Sequence, residues 1–124
     1  MTDLVWDPYT RDCPSREALD RIGDRWSVLI IGALTTGPQR FSELGRRIGG
    51  ISQKMLTQTL RGLERDGLVR RTVFPVVPPH VEYELTDLGL TLREPLAALD
   101  AWARDHMDSI VESRTEYDAA KAPR

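Results

Sequence analysis

Two adjacent glycines, Gly49 and Gly50, constrain this chain more than any other feature because they separate two segments of helical periodicity. Residues 41–48 have the apolar spacing of a short helix, and a longer amphipathic segment follows Ser52. Glycine adopts backbone conformations that other residues rarely reach, so the pair predicts a turn. A short helix, a glycine turn and a longer helix, over about residues 41–66, predict a helix-turn-helix.

Capping residues predict where these helices begin. Ser42 is the expected N-cap of the short helix and Ser52 that of the longer one, because a side-chain oxygen accepts hydrogen bonds from backbone N–H groups of the first turn. Ile51 is expected to pack on Leu56 as a hydrophobic staple, which sets the angle at which the chain enters the longer helix.

Two further helices are predicted upstream. The first has Cys13 as its N-cap and Pro14 at its first position, and it ends at Gly23. The second is capped by Asp24 and ends before a Gly-Pro pair at 37–38. Its apolar stripe consists of Trp26, Leu29, Ile30, Ala33 and Leu34.

A β-hairpin is predicted after the helix-turn-helix. Residues 68–74 are rich in β-branched side chains, and residues 81–86 alternate between apolar and polar ones, as antiparallel strands do. The proline-rich segment 75–80 cannot continue a paired strand, so it is expected to be the loop between them. Helices followed by this hairpin, the wing at about 68–86, predict a mainly α winged helix-turn-helix fold with a small β-hairpin.

A last helix is expected at about residues 87–112, with a kink or a break at Pro95. Its apolar side chains exceed what a small winged helix needs to cover itself, which favours an interface over the alternative of simple core. The expected dimer-interface residues are Leu92, Leu96, Leu99, Trp102, Ala103, His106 and Ile110. His106 is expected to pack there rather than to bind a ligand, and the polar residues 113–124 are expected to fray.

Length and composition bound the class of protein. A chain of 124 residues suits one domain, and residues 1–124 are expected to form one. The longest apolar run, at 28–34, is too short to span a membrane and no secretory signal is visible, so we expect a cytoplasmic protein. One cysteine and two histidines provide no cluster of metal ligands, and neither a metal nor another cofactor is expected.

The charges are unevenly distributed, although the net charge is only −2. Residues 40–72 contain eight basic and three acidic side chains, whereas residues 94–124 contain four basic and seven acidic ones. A basic middle joined to an acidic end is typical of a protein with one face toward phosphate and another toward solvent or a partner.

The helix after Ser52 has two opposed faces at helical spacing. The core side is expected to carry Leu56, Thr59, Leu60 and Leu63. The other side carries Lys54, Gln58, Arg61 and Arg65. These long donors reach phosphate oxygens or base edges. A solvated face is the ordinary interpretation of such a pattern, but the glycine turn, the staple, the basic shorter helix and the hairpin together favour DNA binding.

Six segments together resemble the HxlR family of bacterial regulators, over about residues 12–105. They are CPSREAL at 13–19, GDRWSVLI at 23–30, RFSEL at 40–44, GISQKMLTQTL at 50–60, LERDGLV at 63–69 and VEYELT at 81–86. The resemblance implies a homodimer with extra N- and C-terminal dimerisation helices, a recognition helix at 51–66 and a wing near 78–79. The family often has Lys or Arg after the two prolines of the wing, whereas this chain has His80.

These patterns predict a transcriptional regulator, and not an enzyme, that binds a pseudo-palindromic operator in double-stranded DNA as a homodimer. Gln53 and Lys54 are expected to contact bases, and Arg70 is expected to contact phosphate. The full expected DNA-binding set is Arg40, Ser42, Arg46, Arg47, Ser52, Gln53, Lys54, Thr57, Gln58, Arg61, Arg65, Arg70, Arg71 and His80. The alternative is a winged-helix protein-interaction module, against which the cationic helix face argues. No membrane partner is expected, and no motif identifies a small-molecule effector.

Cys13 is a candidate redox sensor. At a helix N-cap its thiol lies near N–H groups that favour the thiolate, an effect that Arg11 and Arg16 support and Asp12 opposes. Some regulators similar to the HxlR family sense oxidants through a cysteine in this Cys-Pro position. A quiet, partly buried helix cap is the alternative.

Overall fold

The computed structural model describes residues 5–123 of the chain. Its elements are α1 (Pro14–Gly23), α2 (Arg25–Leu34), β1 (Gln39–Arg40), α3 (Phe41–Arg47), α4 (Gln53–Arg65), β2 (Val69–Phe74), β3 (His80–Leu85), α5 (Asp87–Leu90) and α6 (Arg93–Lys121). This order confirms the predicted fold class, a mainly helical winged helix-turn-helix with a small antiparallel sheet. Residues up to Arg93 and residues from Glu94 form two compact units, and each is described by itself.

The core of the first unit lies between α2, α3, α4 and the sheet. Its buried apolar residues are Ile30, Ile31, Leu34, Leu44, Ile48, Leu56, Leu60, Leu63, Leu68, Val69 and Tyr83. Full burial of an aliphatic side chain contributes about 1.5–3 kcal/mol, so packing rather than intrinsic propensity holds these short helices. The stripe predicted for α2 is partly wrong, because Leu29 is exposed and Ile31 is fully buried. α2 contacts α3, α4 and β3, so a wider arc of its surface is covered than one stripe provides.

Most of the predicted caps are confirmed. Cys13 is the N-cap of α1 with Pro14 in the first turn. The Asp24 carboxylate accepts hydrogen bonds from two backbone N–H groups of α2, at 3.0 and 3.2 Å. The Ser52 hydroxyl accepts one from the Met55 N–H at 3.0 Å. These bonds satisfy donors that no intrahelical carbonyl reaches, so α2 and α4 begin where the sequence indicates.

The prediction that Ser42 caps α3 is wrong. α3 begins one residue earlier, at Phe41, and Arg40 is the residue that precedes it. The Glu43 carboxylate reaches back and accepts the Arg40 backbone N–H at 2.9 Å. A carboxylate inside the first turn therefore stabilises this helix start, and the Ser42 hydroxyl is left for other contacts.

A glycine with positive φ lies on each side of α4. Gly50 has a φ of 83°, which confirms the predicted turn before α4. After α4, Gly67 has a φ of 76°, and the Leu68 N–H returns to the Leu63 carbonyl at 2.9 Å. This is the hydrogen bond of a Schellman motif, which ends the helix and directs the chain into β2.

The wing belongs to a three-stranded antiparallel sheet in the order β1-β3-β2, where only two strands were predicted. β1 has two residues, too few for an alternating pattern to reveal it. His80 was predicted in the loop, but it is the first residue of β3 and pairs with Phe74. The loop between β2 and β3 is therefore residues 75–79, and its Val77–Pro78 peptide bond is cis.

Two expectations for the C-terminal part are wrong. The helical segment breaks before Pro95, because α5 ends at Leu90 and α6 begins at Arg93. Pro95 thus lies in the first turn of α6, where the N–H that proline lacks has no intrahelical partner to lose. The residues expected to fray from position 113 are helical through Lys121. Within residues 5–123, no helix combines the length and the apolar character needed to cross a membrane.

Candidate nucleic-acid interface

α4 has one buried face and one polar, cationic face. Its buried residues are Leu56, Thr59, Leu60, Gly62 and Leu63. The exposed side chains are Gln53, Lys54, Met55, Gln58, Arg61, Glu64 and Arg65. The Thr59 hydroxyl donates to the Met55 carbonyl at 2.8 Å, so this polar side chain enters the core with its hydrogen bond made. The two faces predicted for this helix are therefore those of the structure.

The exposed face of α4 includes a shallow depression over its first turns. Its lining residues are Gln53, Lys54, Thr57, Gln58 and Arg61. The Thr57 hydroxyl donates to the Gln53 carbonyl at 2.9 Å, so its hydrogen is used within the helix. The long side chains around it carry amide, ammonium and guanidinium donors, which suit the acceptor edges of bases and phosphate oxygens.

The two arginines of β2 lie on opposite faces of the sheet because successive strand residues alternate. Arg71 pairs with Tyr83 and lines a depression together with Arg61 of α4. Arg70 pairs with Glu84, and its Nη1 donates to the Glu84 carboxylate at 3.1 Å. The phosphate contact was predicted at Arg70, yet Arg71 is the arginine that adjoins α4.

Three further residues of the expected set lie between the start of α3 and the loop end of the wing. Arg40, Ser42 and His80 line one depression beside the first residues of α3. The His80 Nε2 lies 3.0 Å from the Glu82 carboxylate, and the imidazole stacks on Phe74 with 4.8 Å between ring centroids. Residues 75–79 contain no basic side chain, so the basic side chains of the wing lie on its strands and not in its loop.

The remaining expected residues and two unexpected ones complete the surface. Arg46 and Arg47 are exposed in the last turn of α3, where the negative end of the helix dipole favours cations. Phe41 and Tyr83 line the depression of Arg61 and Arg71, although neither residue was predicted to belong to the site. Their apolar character was the available signal, but it indicates core as readily as the floor of a binding surface.

Cys13 lies in a small polar network at the start of α1. Its Sγ is 3.0 Å from the Ser15 hydroxyl and accepts the Asp7 backbone N–H at 3.3 Å. The Ser15 hydroxyl, followed by the Asp7 N–H, lowers the pKa of the Cys13 thiol because both stabilise the thiolate, while the Asp7 charge opposes them. The expected influences were the N–H groups and dipole of α1, supported by Arg11 and Arg16, whereas the hydrogen bonds from Ser15 and Asp7 are the largest ones in the structure.

The residues expected at a dimer interface differ in exposure. Leu99 and Trp102 are 61% and 55% exposed, Ala103 and His106 are also exposed, and Ile110 is half-buried. Leu96 is buried, and Leu92 precedes α6 and lines a cleft of the first unit. The His106 ring stacks on Trp102 at 4.8 Å, and its Nδ1 lies 2.8 Å from the Trp102 carbonyl. Among residues 5–123, no three His, Cys, Asp or Glu side chains are grouped to hold a metal ion.

A cationic helix that follows a basic shorter helix and a glycine turn, beside a three-stranded wing, defines a winged helix-turn-helix protein. The HxlR-like helix-turn-helix family model matches residues 21–111 of this sequence, and the chain belongs to that family. It is accordingly a transcriptional regulator of the helix-turn-helix type and not an enzyme.

Members of this family align with most of the chain. "Uncharacterized HTH-type transcriptional regulator YtfH" of Escherichia coli strain K12 is 49% identical over 108 residues, which cover 87% of this chain and 86% of that protein. The structure of the ytfH transcriptional regulator from Salmonella typhimurium matches with a TM-score of 0.84 at 45% identity, over 90% of this chain and 99% of that one. The redox regulator HypR in its reduced form matches with a TM-score of 0.72 at 40% identity, over 81% and 98% of the two chains.

Proposed function

We propose that this protein is a homodimeric, sequence-specific DNA-binding regulator whose α4 enters the major groove of a pseudo-palindromic operator. The observation that carries the proposal is the exposed face of α4, on which Lys54, Gln58 and Arg61 surround one depression. An interaction module would present apolar or aromatic side chains there instead. A regulator of this kind acts in the cytoplasm, where the chromosome lies.

The basic residues divide into two roles in this proposal. Gln53 and Lys54 lie in the first turn of α4, the end that recognition helices usually direct at base edges. Arg46, Arg47 and Arg71 lie on the neighbouring helix and strand, so they contact phosphates and fix the register of the protein on the duplex. Further donors to DNA are Arg40, Ser42, Ser52, Gln58, Arg61, Arg65, Arg70 and His80. Thr57, whose hydroxyl hydrogen is used within α4, contacts DNA through its oxygen as an acceptor.

The homodimer is supported by the exposed apolar side chains of α6. Leu99 and Trp102 lie three residues apart on this helix and are 61% and 55% exposed. Ala103 and His106, four residues further along from each, are exposed on the same side of the helix. Exposed apolar side chains that follow one another on a helix mark an interaction surface, and a second copy of the same helix buries both stripes at once. The two recognition helices of a dimer then meet two half-sites.

The experiment that tests this function is the selection of duplexes from a random DNA pool by the purified protein. We expect an inverted repeat with half-site centres about 34 Å apart, one turn of the double helix. A monomer in light scattering at micromolar concentration, together with no retardation of any selected duplex, would refute the proposal.

A redox response through Cys13 is a second function that a specific observation favours. The hydrogen bonds from Ser15 and Asp7 promote the thiolate, the reactive form of cysteine, and the similar HypR is a redox regulator. With one cysteine in the chain, oxidation yields an intersubunit disulfide, a mixed disulfide with a small thiol, or a sulfenic acid. With diamide as the oxidant, two thiols form a disulfide while the diamide takes up their two hydrogens and becomes the hydrazine. The intersubunit disulfide requires the two Cys13 Cα atoms to come within about 7 Å. The test compares operator binding by wild type and Cys13→Ser before and after diamide, and equal responses would leave Cys13 as a helix cap.

A further inference from the structure

A cleft of about 740 Å³ opens between α1, the end of α4 and α5. Its size lies in the range of small-molecule sites, about 300–1,000 Å³. Its apolar lining residues are Pro14, Ala18, Ile22, Leu68, Leu88 and Leu92. Arg65 is the one lining residue of the expected DNA-binding set, and Leu92 is the one lining residue of the expected dimer-interface set. These two assignments leave the other apolar lining residues of this concave surface without a role.

Charged groups line the same cleft with an excess of acid. The lining carboxylates are Glu17, Asp20, Asp24 and Asp66, and the lining guanidinium groups are Arg21 and Arg65. The Asp24 carboxylate is used in capping α2, while Glu17 and Asp20 are exposed on α1. An apolar floor with surplus negative charge around it complements an organic cation.

One ion pair in this cleft joins α1 to α4. The Arg21 Nε lies 3.0 Å from the Asp66 carboxylate, and the two side chains are only 33% and 29% exposed. The Arg21 guanidinium rests against Gly62 of α4, where any added Cβ would collide with it. Asp66 is the C-cap of α4, so the pair ties the last turn of that helix to α1.

We propose that this cleft, the α1–α4 cleft, binds a small amphipathic organic cation and that the cation competes with Arg21 for Asp66. The ligand is an ammonium or amidinium group on an aromatic or aliphatic body, with the body on Ile22, Leu68 and Leu88. Displacement of Arg21 releases the last turn of α4 from α1, which lowers the affinity of α4 for DNA. This coupling rests on the DNA-binding function proposed above. Thermodynamic linkage requires bound DNA to lower the affinity for the cation by the same factor.

Binding of the cation to the cleft is tested without DNA, with three probes that share one aromatic ring system. 1-Naphthylmethylammonium, neutral 1-naphthylmethanol and anionic 1-naphthoate are titrated into the full chain at about pH 7, by calorimetry and by ¹H–¹⁵N correlation spectra. We expect the cation to bind about tenfold tighter than the alcohol, because it gains a charged partner. We also expect it to shift the amides of Ala18, Ile22 and Leu88. Equal binding of the three probes, or shifts confined to other elements, would overturn the site.

Variants of the ion pair test the competition. Asp66→Asn should weaken the cation about tenfold, whereas Arg21→Gln should tighten it, because Arg21 no longer occupies the carboxylate. Asp100→Asn is the matched control, since Asp100 also pairs with an arginine, Arg104, at 2.9 Å but lies on α6. If Asp66→Asn fails to fold, Arg21→Gln still decides, and a cation that binds Arg21→Gln no tighter than wild type refutes the competition.

The effect of the cation on DNA binding is measured on a duplex that the wild-type protein selects. Saturating 1-naphthylmethylammonium should reduce the affinity of the protein for this duplex about fivefold or more, and the alcohol should not. An unchanged DNA affinity in the presence of bound cation refutes the coupling. A protein that binds no duplex refutes the proposed function instead, while the calorimetric result stands by itself.

Discussion

Arg70 donates to the Glu84 carboxylate at 3.1 Å across β2 and β3, which leaves the two neighbouring arginines of the wing in different surroundings. Arg71 lies on the other face and adjoins Arg61. We expect Arg71→Ala to weaken binding to all duplexes alike and to reduce the slope of log Kobs against log salt by about one. Arg70→Ala should reduce that slope less, because Glu84 already neutralises Arg70.

The complementary variant is Glu84→Gln, which frees Arg70 for a phosphate. The salt slope should then steepen by up to about one, as measured by fluorescence anisotropy on one selected duplex. An unchanged slope in Glu84→Gln would show that Arg70 lies away from the DNA. A changed base preference in Arg70→Ala, without one in Lys54→Ala, would contradict the proposed orientation of α4.

Replacement of Gln53 or Lys54 is expected to relax sequence preference at particular base pairs. Both side chains lie in the first turn of α4, on its exposed face. Their loss should cost about 1–3 kcal/mol at the contacted bases and almost nothing at the others. The measurement is competition by a panel of singly substituted operators at fixed salt. Uniform weakening across the whole panel would instead identify these residues as phosphate contacts.

The two serines before the helices of the motif should differ in their effect on stability. Ser52→Ala removes the acceptor of the Met55 N–H and should lower the free energy of unfolding by about 1 kcal/mol. Ser42→Ala is the matched control and should change it by less than about 0.5 kcal/mol, because Glu43 stabilises the start of α3. Urea unfolding followed by circular dichroism measures both. Equal losses would mean that Ser42 is a cap after all.

Leu99→Asp should separate the proposed homodimer into monomers at micromolar concentration. Leu99 is 61% exposed on α6 in the single chain. Burial of the introduced carboxylate in the proposed apolar interface costs far more free energy than leaving it exposed in the monomer. The control is Val77→Asp in the wing loop, where the side chain is 99% exposed. Sedimentation velocity distinguishes the two, and a Leu99→Asp protein that still sediments as a dimer would place the interface elsewhere.

The Cys13 thiol should ionise at a lower pH than an ordinary cysteine. Hydrogen bonds from Ser15 and Asp7 lower its pKa, so the thiolate fraction at neutral pH rises, and only the thiolate reacts with iodoacetamide. The midpoint of alkylation rate against pH should lie below the ordinary value of about 8.5. Ser15→Ala removes the largest influence and should move the midpoint upward. A wild-type midpoint at the ordinary value would contradict the hydrogen-bonded geometry.

The candidate site could be predicted from the sequence as far as it depends on one helix. Spacing alone separates the buried Leu56, Leu60 and Leu63 from the exposed residues of α4, because residues of one helix keep fixed angles to one another. It does not indicate which of Arg70 and Arg71 adjoins α4. That choice depends on the pairing of β2 with β3 and on how the sheet packs against the helix.

The sequence by itself determined the order of α1 to α4 and of the β2–β3 hairpin, the glycine turn and the caps at Asp24 and Ser52, because local spacing and residues within one helical turn of each other carry these signals. Only the tertiary structure decided the contacts between distant segments. β1 exists because two residues pair with the free edge of β3. Arg21 pairs with Asp66, which lies 45 positions further along the chain. Such pairs depend on the packing of several elements at once, and no local spacing encodes which surfaces will meet.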